Sequence, residues 1–232
     1  MEPPGASDGK RRQEGVETMR EVHPYKTESR LLKALDNGGR FFNVFTKAGD
    51  DQITRAELAK AAGVFGSSPK AVLFFEMAQH ALTPEAQAKA VAALGPKARK
   101  DHRKFLPVKL RPSLVESTGK AGGCVIVEGY PRYLKNKSMF TGMMMIPIQT
   151  GNVTTFMMVP LYDQFDIYEV FDNRQMRKPM CILATTRSMT FLSGEPIRLA
   201  GILRKMEVAK KAQRQHKFYL EACYYTRLKN AA

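Results

Sequence analysis

Two hydrophobic periods divide this 232-residue chain. Up to about residue 96, apolar residues recur at three- and four-residue spacing, the period of helices. The first such run begins at about Thr27, with Leu31, Leu32 and Leu35, and continues past the break at Gly38-Gly39 to Phe41, Phe42 and Phe45. A second helix is predicted from Thr54 to about Ala62, opened by the capping box Thr54-x-x-Glu57. Ser68-Pro69 opens a third, PKAVLFFEMAQHAL, because proline suits the first helical position. Thr83-Pro84-Glu85 opens a fourth, which ends at Gly95-Pro96. From about residue 120 the period becomes that of strands. CVIVEGY, GMMMIPI, TFMMVPL, FDIYEVF, MCILATT, PIRLAGILRKM and KFYLEACYYTRL are β-branched or aromatic runs separated by Gly, Asn, Ser or charged residues.

The pattern predicts an α+β chain in four parts. Residues 1–26, polar and rich in Gly, Pro and charge, read as a flexible tail. Residues 27–96 form a small helical module. Residues 97–119, basic and interrupted by Pro107 and Pro112, read as an extended linker. Residues 120–232 read as an antiparallel β-barrel or sandwich. The segment MEVAKKAQRQ is either a helix or a long hairpin loop.

Charge separates the parts further. The net charge is +15, but residues 1–96 hold 13 Lys/Arg against 12 Asp/Glu, while residues 97–232 hold 24 against 10. An excess confined to the β-rich part points to a polyanionic partner, be it nucleic acid, an acidic protein or an anionic membrane surface, or else to a solvated basic surface kept for solubility. Thirteen methionines in a chain without tryptophan add the expectation of a Met-rich core or contact surface. Cys124, Cys181 and Cys223 are far apart and sit in apolar contexts. They read as buried thiols in a reducing, cytoplasmic setting rather than as disulfides or zinc ligands. No apolar run is long enough for a membrane span.

The stretch FFNVFTKAGDDQITRAELAKA resembles an EF-hand, with Ile53 at the eighth loop position and Glu57 at the twelfth. That resemblance implies an EF-hand-like helical pair over about residues 30–94. In that register the first, third and fifth positions fall on Thr46, Ala48 and Asp50, and Asp51 stands where the turn wants Gly. Thr46 and Ala48 bring no carboxylate, so no metal is expected there. Val72, Leu73, Phe74, Phe75 and Met77 line either a core or an apolar groove that takes a protein partner.

The strand order of residues 120–232 is similar to an OB-fold. CVIVEGYPRYL is a first strand bent at Gly129, and EPIRLAGILRKM with KFYLEACYYTRL is a closing hairpin. The resemblance implies a site for single-stranded nucleic acid. The residues carry suitable chemistry: Tyr130, Arg132, Tyr133, Lys135 and Lys137 interleave rings and cations, and Arg204, Lys205, Lys210, Lys211, Arg214 and Lys217 add cations on the last hairpin. Tyr130 and Tyr133 either stack on bases or cap the barrel. Asp163, Asp166, Glu169 and Asp172 read as an acidic edge that pairs with the protein's own arginines.

No phosphate loop, dinucleotide fingerprint or nucleophile elbow is present, and the four histidines lie apart. The expectation is a non-enzymatic binding protein without a cofactor, most simply one for single-stranded nucleic acid. A scaffold that binds protein through the helical groove and barrel surface is the alternative.

Overall fold

In the computed structural model, which describes residues 19–38, 47–64, 66–150, 153–175, 181–186, 192, 194–206 and 217–228, the capping signals are realised where the sequence puts them. Thr54 Oγ1 accepts from the Glu57 amide at 3.3 Å, and Glu57 Oε2 accepts from the Thr54 amide at 2.8 Å. This box starts α2 (Arg55–Ala62), which follows α1 (Glu28–Leu35) and ends at Gly63 in the left-handed conformation. Then come α3 (Ser68–Gln79) and α4 (Pro84–Ala92), each with proline in its first turn.

Residues 97–119 are not an extended linker. They hold most of α5 (Pro96–Phe105), strand β2 (Val108–Leu110), a 3-10 turn at Pro112–Leu114 and α6 (Val115–Thr118). Ala98, Asp101 and His102 are buried and Phe105 is half-buried, one helical face over two turns. The face escapes a hydrophobic pattern because half of it is polar. Asp101 binds Arg55 of α2 through two contacts of 2.6 and 2.7 Å. His102 Nε2 meets Glu76 Oε1 of α3 at 2.9 Å and stands edge-on to Phe75. Paired this way, the buried polar groups avoid a desolvation cost of about 1–3 kcal/mol each.

The β-rich part is a closed ring of β3 (Cys124–Thr150), β4 (Val153–Phe171), β5 (Cys181–Thr186), β7 (Phe218–Arg227) and β6 (Ile197–Lys205), with β6 returning to β3. This is an OB-like barrel in an α+β chain. Its sheet is mixed rather than wholly antiparallel. β5 closes on β7 in parallel, β2 adds in parallel to β3, and β1 (Arg20–Glu21) adds in parallel to β7. The expected tail therefore contributes a strand from residues 20–21, and residues 1–18 lie outside the described residues. The predicted closing hairpin is present, from Ile197 opposite Arg227 to Lys205 opposite Phe218.

The strand count differs from expectation. CVIVEGY and GMMMIPI are one 27-residue strand, and TFMMVPL and FDIYEVF one of 19. Lys135-Asn136-Lys137 reads as a turn in sequence. It stays paired with β4, between register irregularities at Tyr133/Lys135 and Phe140/Gly142. Gly129 ends the pairing with β6, and Tyr130 begins the pairing with β4. A Cβ on Gly129 would stand 2.5 Å from the Phe171 carbonyl oxygen and 2.9 Å from Pro112, so the bend admits only glycine.

Period-two alternation gives the sheet two cores. Val125, Val127, Tyr168, Val170, Leu183, Leu199, Leu203 and Leu220 share the barrel's cluster. Cys124, Ile126, Ala200, Ile202 and Tyr224 cluster instead with Leu31, Leu35, Leu73, Phe75 and Leu94 of the helices. Phe74 meets Tyr224 edge-on at 5.8 Å. So α3 packs against the barrel, and the predicted apolar groove is part of this core.

Burial raises the Cys124 thiol to about 11. Cys223 is half-buried and donates to the Glu221 carbonyl; the side chain of Cys181 lies outside the described residues.

Candidate nucleic-acid interface

The ring's register decides which predicted residues meet. Along β3 the two basic groups are far apart, since Arg204 and Lys205 lie beyond the pair Ile202–Cys124, while Tyr130 to Lys135 follow the pair Ile197–Gly129. Around the ring the other way they share a row. Arg132 pairs with Glu169, Glu169 with Ile182, Ile182 with Tyr219 and Tyr219 with Arg204. Paired residues in a sheet lie on the same face. Four strand spacings, roughly 19 Å, therefore separate Arg132 from Arg204 across β4, β5 and β7. The neighbouring row, Tyr168, Leu183, Leu220 and Leu203, is fully buried, so the Arg132–Arg204 row lies on the barrel's outer side.

Both arginines are paired with acids. Arg132 Nη2 lies 2.7 Å from Glu169 Oε2, and its guanidinium also lies 4.6 Å from the Phe171 ring centre. Arg204 Nε lies 2.5 Å from Glu221 Oε2, and that hydrogen bond holds the guanidinium above its ordinary pKa. The acidic edge thus pairs with the protein's own arginine at Glu169, while Asp172 accepts instead from the Ser113 amide at 3.0 Å. Both guanidiniums stay about half exposed, which leaves N–H donors facing solvent.

Lys135, Lys205 and Lys217 are exposed. Lys135 pairs with Ile167, two steps from the Arg132–Arg204 row and on its face, while Lys205 pairs with Phe218, one step from the row and on the opposite face. Tyr130 is half-buried opposite Phe171. Tyr133 is 38% exposed and stands edge-on to the buried Tyr168 at 5.5 Å. Burial raises Tyr168 above the ordinary tyrosine value. Tyr133 therefore caps the barrel and still leaves part of its ring to solvent. The side chain of Lys137 is outside the described residues, as are Lys210, Lys211 and Arg214 altogether.

Sequence reasoning missed a second basic surface. Lys97, Lys100, Arg103 and Lys104 are exposed on α5, and the last three border a cleft of about 880 Å³ with Arg99. Their spacing is that of one helical stripe, a signal masked by the prolines on either side and by the polar inner face. Arg99 itself is half-buried and donates to the carbonyls of Ala92 and Leu94 at the end of α4.

The EF-hand resemblance gains no support from geometry. Glu57, the residue that would close a calcium loop, is fully buried and spends both oxygens on protein donors: the Gly38 amide at 2.7 Å, the Thr54 amide at 2.8 Å and the Thr54 hydroxyl at 2.9 Å. Asp36 organises the turn by accepting from the amides of Gly49 and Asp51. Thr46 lies outside the described residues. No helix among the described residues is long and apolar enough to cross a membrane.

No family model matches this chain, and no curated protein does. Among solved structures, the crystal structure of the N-terminal domain of an archaeal MCM is similar, at 10% identity and a TM-score of 0.39, over 77% of this chain and 86% of that one.

Proposed function

We propose that this chain is a non-enzymatic binding protein, acting in a reducing compartment such as the cytoplasm. Its ligand is single-stranded nucleic acid, held across the outer face of β4, β5 and β7. The observation that supports this reading is the cross-strand row from Arg132 to Arg204, joined on the same face by the exposed Lys135, with the exposed Lys205 one residue beyond Arg204. β4 and β5 are the second and third strands of the ring, the face with which barrels of this type hold oligonucleotides. Lys217 stands at the end of the loop joining the fourth and fifth ring strands, which flanks that face.

The chemistry is that of a backbone tracked by cations. Lys135, Lys205 and Lys217 offer point charges to phosphates. Arg132 and Arg204 offer forked donors once a phosphate competes with Glu169 and Glu221. Tyr133 belongs to the inward row of Tyr168, and only the exposed part of its ring is offered for stacking beside the outer face.

Anisotropy titration of a labelled single-stranded oligonucleotide at two salt concentrations tests the reading. Binding that weakens steeply with salt is expected, together with a loss of about 1–3 kcal/mol for Tyr133→Ala at unchanged salt slope. Binding no tighter than about 10⁻⁴ M at low salt would overturn it. An acidic protein partner would then be the better reading.

A further inference from the structure

Beyond the barrel, β3 and β4 continue as a two-stranded arm. β6 covers β3 only from Cys124 to Gly129, and β5 covers β4 only from Phe165 to Val170. Among the described residues, the twelve register pairs from Ser138–Gln164 to Thr150–Val153 have no third strand. At 3.2–3.4 Å per residue the arm is roughly 40 Å long.

Its composition sets it apart from the rest of the chain. From Met139 to Tyr162 there is no Lys, Arg, His, Asp or Glu, in a protein of net charge +15. Alternate register pairs share a side. Met143–Pro160, Met145–Met158 and Pro147–Phe156 belong to one side, Met144–Val159 and Ile146–Met157 to the other. Near the middle of the arm, Met145 and Met158 stand opposite each other, 62% and 64% exposed. An isolated two-stranded hairpin is at best marginally stable in water, so an apolar one of this length needs cover.

Three kinds of cover are disfavoured by the arm itself. A polyanion finds no cation along it. A strand added to either edge meets Pro147 in β3 or Pro160 in β4, neither of which has an N–H to give. A bilayer would strip water from the unpaired backbone groups of both edges, at several kcal/mol each. What remains is face-to-face packing against another apolar β surface.

We propose that the cover is the arm of a second copy of this chain, stacked side to side about a two-fold axis near Met145 and Met158. Every molecule carries an arm that needs cover, and a second copy is the partner present with every molecule. The two arms are self-complementary about that axis, and methionine adapts its shape to methionine. One side of the arm, two strands wide and roughly 40 Å long, has a footprint of about 400 Å². The axis also places the two cationic bodies at opposite ends of the stacked arms. Their separation is then well beyond the ~8 Å over which charge acts at physiological salt. This inference is independent of the nucleic-acid reading.

Sedimentation or light scattering of the full chain at low micromolar concentration tests it. The wild type is expected at twice its 26.1 kDa chain mass. The double variants Met145→Lys/Met158→Lys and Met145→Gln/Met158→Gln are expected at the single-chain mass, with the circular dichroism of the barrel retained. The glutamine pair separates lost apolar contact from charge repulsion. A monomeric wild type would overturn the proposal, as would a dimer that survives in both variants. So would a monomer that floats with phosphatidylcholine–phosphatidylserine vesicles, which would put the arm in lipid.

Discussion

The Tyr224 hydroxyl of β7 donates to the carbonyl oxygen of Ala62, at the end of α2, over 3.2 Å and across 162 residues of sequence. That carbonyl also accepts from Arg20 Nη1 at 2.7 Å. One helix terminus thus anchors both the last barrel strand and β1. Tyr224 also carries the ring that packs on Phe74, so it joins helices and barrel through polar and apolar contact together.

Tyr224→Phe keeps the ring and leaves Arg20 on the carbonyl. It should cost about 1 kcal/mol in urea denaturation, the worth of one hydrogen bond. Tyr224→Ala opens a cavity between helices and barrel and should cost about 3–5 kcal/mol. Equal costs for the two would mean that the ring contributes nothing to docking.

Glu57→Gln sets an amide where the Gly38 and Thr54 amides both need an acceptor. The variant should lose about 1–3 kcal/mol of stability. Calcium should not change the denaturation midpoint of the wild type, because both oxygens of Glu57 are already engaged. A midpoint that rises with added calcium would show that the loop can release this carboxylate to a metal.

His80 gives a pH dependence. Burial lowers its pKa below the ordinary 6.5, opposed by the hydrogen bond to the Met77 carbonyl at 2.9 Å. The unfolded chain therefore takes up the proton first as pH falls. Stability from this group is full above pH 6.5 and declines as pH drops through 6.5 towards the lowered folded value. His80→Gln should flatten that limb of the urea midpoint against pH. An unchanged limb would assign the acid loss to other groups.

The proposed interface predicts which cations matter. Lys135→Ala and Lys205→Ala should each reduce the slope of log affinity against log salt by about 0.7 for a single strand. Lys97→Ala and Lys100→Ala on α5 should leave the slope unchanged. The opposite pattern in the same titrations would move the interface from the barrel to the helix.

What the sequence determined by itself was local. The capping box at Thr54 and Glu57 and the prolines opening α3 and α4 need only neighbouring residues, so they were legible without a fold. Gly129 was legible as a bend because a strand that changes partners needs one. The β-rich order and the barrel pattern followed from period and turn chemistry. Tertiary structure decided what depends on distant partners. Helix α5 was hidden because its inner face uses Asp101 and His102, whose partners Arg55 and Glu76 lie on other helices. The parallel closure of β5 on β7 leaves no mark in either strand, since period two is the same in both directions. The register that carries Arg132 across three strands to Arg204 is fixed by the barrel interior, where Tyr168, Leu183, Leu220 and Leu203 must all point inward. The arm was read as two extra strands because apolar runs look alike in sequence. Only the pairing shows that β5 and β6 stop short of it.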